Sequence, residues 1–137
     1  MLDSRAIADK LEQAGVQATA QRIAIYQYLL NEADHPTVED IRAWIDKHFP
    51  KMSRATVYNT LNLLVRAGLV QEVRVPDTSR VMYDSNMIHH HHFLDEETDE
   101  LIDVDSDLID VQPRLTKDFH ITQVQVLLRG NRRKKRP

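Results

Sequence analysis

Thr19, Thr37 and Ser53 each stand one step before a run of apolar residues at helical spacing. A helix start leaves backbone N–H groups without partners, and a hydroxyl oxygen placed there accepts from one of them. A chain that marks three helix starts in 35 residues has few folds open to it. After Thr19, Ile23, Ile25, Tyr26, Leu29 and Leu30 supply an apolar face. His35-Pro36-Thr37 breaks the chain, and Thr37-Val-Glu-Asp40 has the form of a capping box. It opens a helix that carries Ile41, Trp44 and Ile45 and stops before Pro50. Ser53 opens SRATVYNTLNLLVRAG, with Val57, Leu61 and Leu64 on one face and Gly68 as its stop. Upstream, Ser4 to Ala14 reads as a helix with Ile7, Ala8 and Leu11 inward and Gly15 at its end. From Leu69 the period changes to two. Leu69–Val75 and Arg80–Tyr83 read as strands around the turn Pro76-Asp-Thr-Ser79. Helices followed by a hairpin are the order of a winged helix-turn-helix, whose recognition helix enters the DNA major groove. Bundles with a hairpin also serve other ends, so the order alone does not decide function.

The second half has another character. Ile88–Leu94, Glu100–Val104 and Thr122–Leu128 read as strands, and Asp107–Lys117 reads as a short helix interrupted by Pro113. The whole is α+β, with a boundary at residues 83–88 that gives domains 1–83 and 84–137. Charge follows the same division. Residues 1–83 hold ten Lys/Arg and ten Asp/Glu, residues 84–128 hold two against eleven, and residues 129–137 hold six bases and no acid. Halves this small are marginal alone and gain from association. No cysteine is present, which excludes a disulfide framework and a thiolate zinc site. No stretch reads as a membrane span or a secretory leader, so a cytoplasmic protein without membrane attachment is expected.

Four histidines, His89–His92, sit in DSNMIHHHHFLD. On a strand, His90 and His92 point one way and His89 and His91 the other. Each pair can offer two imidazoles to one ion. Asp84, Asp95 and Asp103 are the nearest carboxylates, and His35 lies at a helix junction in the first half. A site drawing on His35, Asp84, His90, His92 and Asp103 would tie the halves together. Nitrogen and oxygen donors without thiolate suit Fe, Mn or Zn at five or six coordination. Such binding weakens in acid, because the rings must be neutral and the carboxylates ionised. The plainer alternative is a solvated polar strand with no ligand.

Several stretches together resemble the Fur family of bacterial metal-responsive repressors: GVQATAQRIAIYQYL, HPTVEDI, SRATVYNTLNLL, GLV, YDSN before HHHH, and ELIDV. The likeness covers nearly the whole chain. It implies an N-terminal winged helix-turn-helix DNA-binding domain and a small C-terminal α/β dimerisation domain, with metal at the hinge setting the spacing of the DNA-binding domains. By position, His35, Asp84, His90, His92 and Asp103 fall on the family's regulatory ligands, with Fe2+ or Mn2+ as the expected ion and Zn2+ able to replace it in vitro. For the family's second site, or a haem site, His89 and His91 fit and Asp110 falls where Glu is common. The later histidine of that site lands near Gln123 and Val124, and His120 is the only imidazole nearby. Asp95 and Thr98 stand where the first cysteine pair of a structural zinc clamp would be, so no structural zinc held by four cysteines is expected.

The cysteine-free pattern, the long His run and the basic end look like Irr-type iron-response regulators, in which the His run is linked to haem. Asp103 also looks like PerR-type peroxide sensors, in which a ligand histidine, here His35 or His90, is oxidised. The expectation is a homodimeric repressor of iron and haem genes on an AT-rich palindromic operator in double-stranded DNA. Alternatives are a peroxide-sensing repressor and a metalloenzyme built on the His/Asp cluster. Five protein ligands leave little room for a substrate.

The helix from Ser53 to Ala67 is the expected recognition helix. Ser53, Arg54, Thr56, Tyr58 and Asn59 lie on its first turns, and Arg and Asn read base edges while Thr and Tyr reach methyl groups or phosphates. The resemblance puts a thymine contact at Tyr58. Gln21 and Arg22 open the second helix near the expected DNA backbone, with Arg22 as a phosphate clamp. Gln17 replaces a lysine common in relatives, and Arg74 and Arg80 on the wing are weaker candidates. The tail from Arg129 is read as a solvated end that can reach DNA or a partner's acidic half.

Overall fold

The computed structural model describes residues 1–133; residues 134–137 of the basic tail lie outside the described residues. The chain divides into two compact units, Met1–Met87 and Ile88 onward. The first holds α1 (Ser4–Gln13), α2 (Ala20–Asn31), α3 (Val38–His48), α4 (Arg54–Arg66), β1 (Gln71–Arg74) and β2 (Val81–Asp84). The second holds β3 (His90–Asp95), β4 (Leu101–Asp105), a 3₁₀ turn (Ser106–Leu108) and β5 (Leu127–Gly130). The architecture is α+β, as the sequence predicts.

The expected caps form. Thr19 Oγ1 accepts from Arg22 N–H, and Ser53 Oγ accepts from Thr56 N–H. Thr37 and Asp40 close a complete capping box. At α1 the cap is Asp3, which accepts from Ala6 N–H. Gly15 and Gly68, at φ +79° and +75°, take the left-handed turns that end α1 and α4. The caps set where each helix begins, and its apolar stripe then falls inward. Ile7 and Leu11, Ile25 and Leu29, Ile41 and Ile45, and Val57, Leu61 and Leu64 make one core with Val70 and Tyr83. Tyr28 stacks on Trp44 at 4.4 Å, and Trp44 on His48 at 4.3 Å, which adds an aromatic seam between α2 and α3.

The β1–β2 hairpin is antiparallel, with Gln71 opposite Asp84 and Glu72 opposite Tyr83. β2 also reaches back to the α2–α3 link. Tyr83 N–H donates to Pro36 O at 2.9 Å, and Thr37 forms a bridge with Met82. This places the link carrying His35 beside the end of β2, where Asp84 lies.

In the second unit β3 is the central strand, antiparallel to β4 and parallel to β5. Two expectations are corrected here. Asp107–Lys117 is not a helix beyond the turn at Ser106–Leu108, and the strand expected over Thr122–Leu128 is confined to Leu127–Gly130. Pro113 removes a donor, and Leu108, Val111, Leu115, Phe119 and Ile121 stay exposed. A short helix with no surface to pack against has too little to offset its nucleation cost. The basic end departs from the reading of a solvated tail. Arg129 reaches Glu96 at 3.4 Å, and Arg132 donates to Asp95 and Glu100, each at 2.9 Å. No described helix is long and apolar enough to cross a membrane.

Candidate metal centre and nucleic-acid interface

In the first unit, His35 adopts a left-handed backbone at φ +46°, a conformation rare for residues with a Cβ. Its Nδ1 lies 2.7 Å from Asp34 Oδ1 and its Nε2 lies 3.4 Å from Asp84 Oδ2. A carboxylate only accepts, so Nδ1–H donates to Asp34. The neutral ring then carries its lone pair on Nε2, facing the buried Asp84. Asp84 is held in turn by Asn86 N–H, which donates to Oδ1 at 2.9 Å. A buried carboxylate facing an imidazole lone pair is costly unless positive charge intervenes, as a proton or a cation.

In the second unit the alternation of β3 separates the histidines as expected. His90 and His92 share one face, their Nε2 atoms 3.0 Å apart. The ladder sets Asp103 of β4 opposite His92. Asp103 Oδ1 lies 3.2 Å from His90 Nε2 and 3.5 Å from His92 Nε2. His90 Nδ1–H donates to Ile88 O at 2.6 Å, so this ring also presents its Nε2 lone pair. Metal-bound histidines are held in this way, by a carbonyl or carboxylate on the far nitrogen. The donor chemistry in both units therefore fits a nitrogen- and oxygen-bound divalent ion.

His89 and His91 share the opposite face, their rings edge to face at 5.2 Å. His89 is exposed and His91 is buried. Burial pushes the His91 ring below the ordinary imidazole range, and the neighbouring histidines push it further. Val126 N–H donates to His91 Nδ1 at 3.1 Å. A neutral ring that accepts at Nδ1 has its hydrogen on Nε2 and no lone pair there for an ion. Asp110 is exposed on the extended segment past the 3₁₀ turn.

The residues expected at DNA lie on the first turns of α2 and α4. Gln21, Ser53, Arg54, Tyr58 and Asn59 are exposed, while Arg22 and Thr56 are half-buried. Arg22 is anchored through one Nη, which donates to Gln17 O at 3.0 Å. Ser53 is occupied by its capping bond, so its hydroxyl fixes the start of α4 as well as facing solvent.

Sequence reasoning missed Asp34, although its place directly before His35 is the signal that could have marked it. It also missed the part played by Asp95, where the buried carboxylate accepts from Glu97 and Thr98 N–H and from Arg132. Burial would raise the Asp95 pKa, but the Arg132 guanidinium and the two N–H groups outweigh it and hold the group below the usual carboxylate range.

With this geometry in place, similarity to known proteins is informative. The model of the ferric uptake regulator family matches residues 13–129. The peroxide-responsive repressor PerR of Staphylococcus aureus is 33% identical over 123 residues, which cover 88% of this chain and 82% of that protein. Among solved structures, a zinc-bound manganese uptake regulator superposes with a TM-score of 0.70 at 27% identity, covering 92% of this chain and 98% of the other. The peroxide stress regulator of Campylobacter jejuni gives a TM-score of 0.67 at 25% identity, covering 98% and 99%.

Proposed function

This chain belongs to the ferric uptake regulator family, whose members are dimeric, metal-dependent DNA-binding repressors rather than enzymes, and from that premise we propose that one Fe2+ or Mn2+ held by His35, Asp84, His90, His92 and Asp103 switches it onto DNA. The observation that carries this reading is the tautomer set. Asp34 and the Ile88 carbonyl hold the far nitrogens of His35 and His90, so both rings present Nε2 toward carboxylates. In this proposal residues 1–83 bind DNA and residues 84–137 form the dimer and complete the metal site. The exposed apolar residues between Leu108 and Ile121 favour a second copy as their cover. A second metal or haem site at His89, His91 and Asp110 has less support, because the His91 ring already accepts from Val126 N–H at Nδ1.

The DNA is a palindromic, AT-rich operator read by α4. Arg54 and Asn59 meet base edges, Tyr58 meets thymine methyls, and Gln21, Arg22, Ser53 and Thr56 meet the backbone. The genes it controls serve iron and haem balance. Peroxide sensing is the second reading, favoured by the likeness to the Staphylococcus aureus repressor and by an all nitrogen and oxygen donor set that includes Asp103.

The test begins with selection of duplexes from a random pool on Mn2+-loaded protein. Their affinity is then measured with and without Fe2+, Mn2+ and haem. Metal should tighten binding, and His90→Ala or Asp103→Ala should abolish that response while the fold persists. Tyr58→Ala should weaken DNA binding and leave metal uptake intact. Binding that ignores metal would sink the proposal. Mass spectrometry after peroxide on the anaerobic Fe2+ protein separates the two readings. One added oxygen confined to His35 or His90 marks a peroxide sensor.

A further inference from the structure

Asp84 is the last residue of β2, and Gln71 stands opposite it at the start of β1. We propose that Gln71 is a positioning residue of the ion site: it holds the turn from Asp84 to Asn86, so that one oxygen of the Asp84 carboxylate stays aimed at His35 Nε2. This role rests on Asp84 and His35 being ligands, as proposed above; the hydrogen bonds that carry it do not.

Three bonds within the first unit hold the turn. Asn86 N–H donates to Asp84 Oδ1 at 2.9 Å. A carboxylate that accepts from the N–H two residues on closes an Asx turn and loses its free rotation. With Oδ1 engaged in this way, Oδ2 is the oxygen that lies 3.4 Å from His35 Nε2. Gln71 Nε2 donates to Asn86 O at 3.1 Å. Asn86 is thus held at both backbone groups, its N–H by Asp84 and its carbonyl by Gln71. The third bond runs from Ser85 Oγ to Leu29 O at 3.3 Å. Leu29 lies in the last turn of α2, where carbonyls lack donors within the helix. Ala33 N–H, the next donor in the helical series, goes to Tyr28 O instead, and Ser85 takes its place.

Position gives these bonds their use. The β1–β2 ladder ends at the Gln71–Asp84 pair, and Met87, Ile88 and His89 beyond it are exposed. Past the ladder, side-chain bonds are what keep the strand end in place. His35 follows α2 after a short link, and Ser85 ties the neighbour of Asp84 to the end of the same helix. The two donors of the first unit therefore keep their spacing before an ion arrives. Partners of a metal ligand orient it and raise its affinity. Gln71 acts one step further out, through Asn86.

Gln71→Met keeps the length of the side chain and removes its donor. In the full metal-free chain, hydrogen exchange followed by NMR should show the Asn86 amide exchanging about fivefold faster. The ladder amides of β1 and β2 and the urea midpoint should stay as in the parent. Competition titration should then show Mn2+ bound about fivefold more weakly. Faster exchange along the whole ladder with a lower urea midpoint would make Gln71 an ordinary strand residue and overturn the proposal. An Asn86 amide that ignores the substitution would overturn it too, as would equal Mn2+ affinities in variant and parent. A parent chain that takes up Mn2+ in those cases keeps the metal reading intact. A parent that takes up none removes the metal reading and the role of Gln71 together.

Discussion

The first unit buries aliphatic side chains, and the second buries histidines. Between Ile7 and Val75 the interior is almost wholly Ile, Leu, Val and Tyr. Among the described residues of the second unit, those buried are His90, His91, His92 and Asp95, with Leu94 and Leu101 as apolar company. The difference separates two sources of order. Burying a Leu or Ile side chain contributes about 1.5–3 kcal/mol whatever the solution contains. A buried imidazole contributes only when its nitrogens are satisfied, which here falls to Ile88 O, Val126 N–H and Asp103, and in the proposed function to an ion as well. If the proposed ion binds there, the second unit should gain stability with ion concentration, and the aliphatic core of the first unit should not.

The largest expected effect tests that contrast directly. Leu61→Ala, at a fully buried position of α4, should cost about 2–5 kcal/mol in urea unfolding of the metal-free chain. Leu115→Ala, exposed in the second unit, should change the same quantity by less than about 0.5 kcal/mol. Its effect should appear instead as weaker self-association in sedimentation. Equal losses at both sites would erase the distinction. Next is Asp34→Ala, which leaves every proposed ligand in place but frees the far nitrogen of His35. Competition titration with Mn2+ should show an affinity loss of about 10–100-fold, with metal-free stability little changed. Thr37→Ala removes the side-chain half of the capping box and should cost about 1 kcal/mol, measured with and without metal. The same loss in both conditions would show that helix starts belong to the first unit's own stability.

The smallest effect concerns the Asp95–Arg132 pair. The Asp95 pKa is lower in the folded chain than in the unfolded one. Its contribution is therefore present above the unfolded value of about 3.9 and disappears as pH falls through the folded value. Arg132→Gln should lower thermal stability at neutral pH and lose that effect in acid. A difference that persists at the lowest pH would mean that Arg132 acts through packing alone.

The first unit was legible because its signals are local. Thr19, Thr37 and Ser53 cap helices through residues three positions on, and the apolar spacing then fixes the inner face. The parity of the histidine strand was equally readable, since it needs only the pleat of β3. What failed lies where partners are distant or lie outside the chain. Periodicity suggested a helix after Asp107, but the surface that would hold it is not supplied by the described residues. Arg132 was read as tail because its partners, Asp95 and Glu100, stand more than thirty positions away. Asp34 escaped notice because its role follows from the turned backbone at His35.

Because β3 is flanked on both sides, its pairing can err by one residue only at the expense of Leu94, which would then face outward. The histidine run makes that error chemically mild. A shift of one position still turns two imidazoles toward each side, and it can set His91 in place of His92 opposite Asp103. Repetition of one residue type thus leaves the imidazole faces indifferent to such a slip, and the apolar pair Leu94 and Leu101, which face each other in the observed alignment, is what selects it.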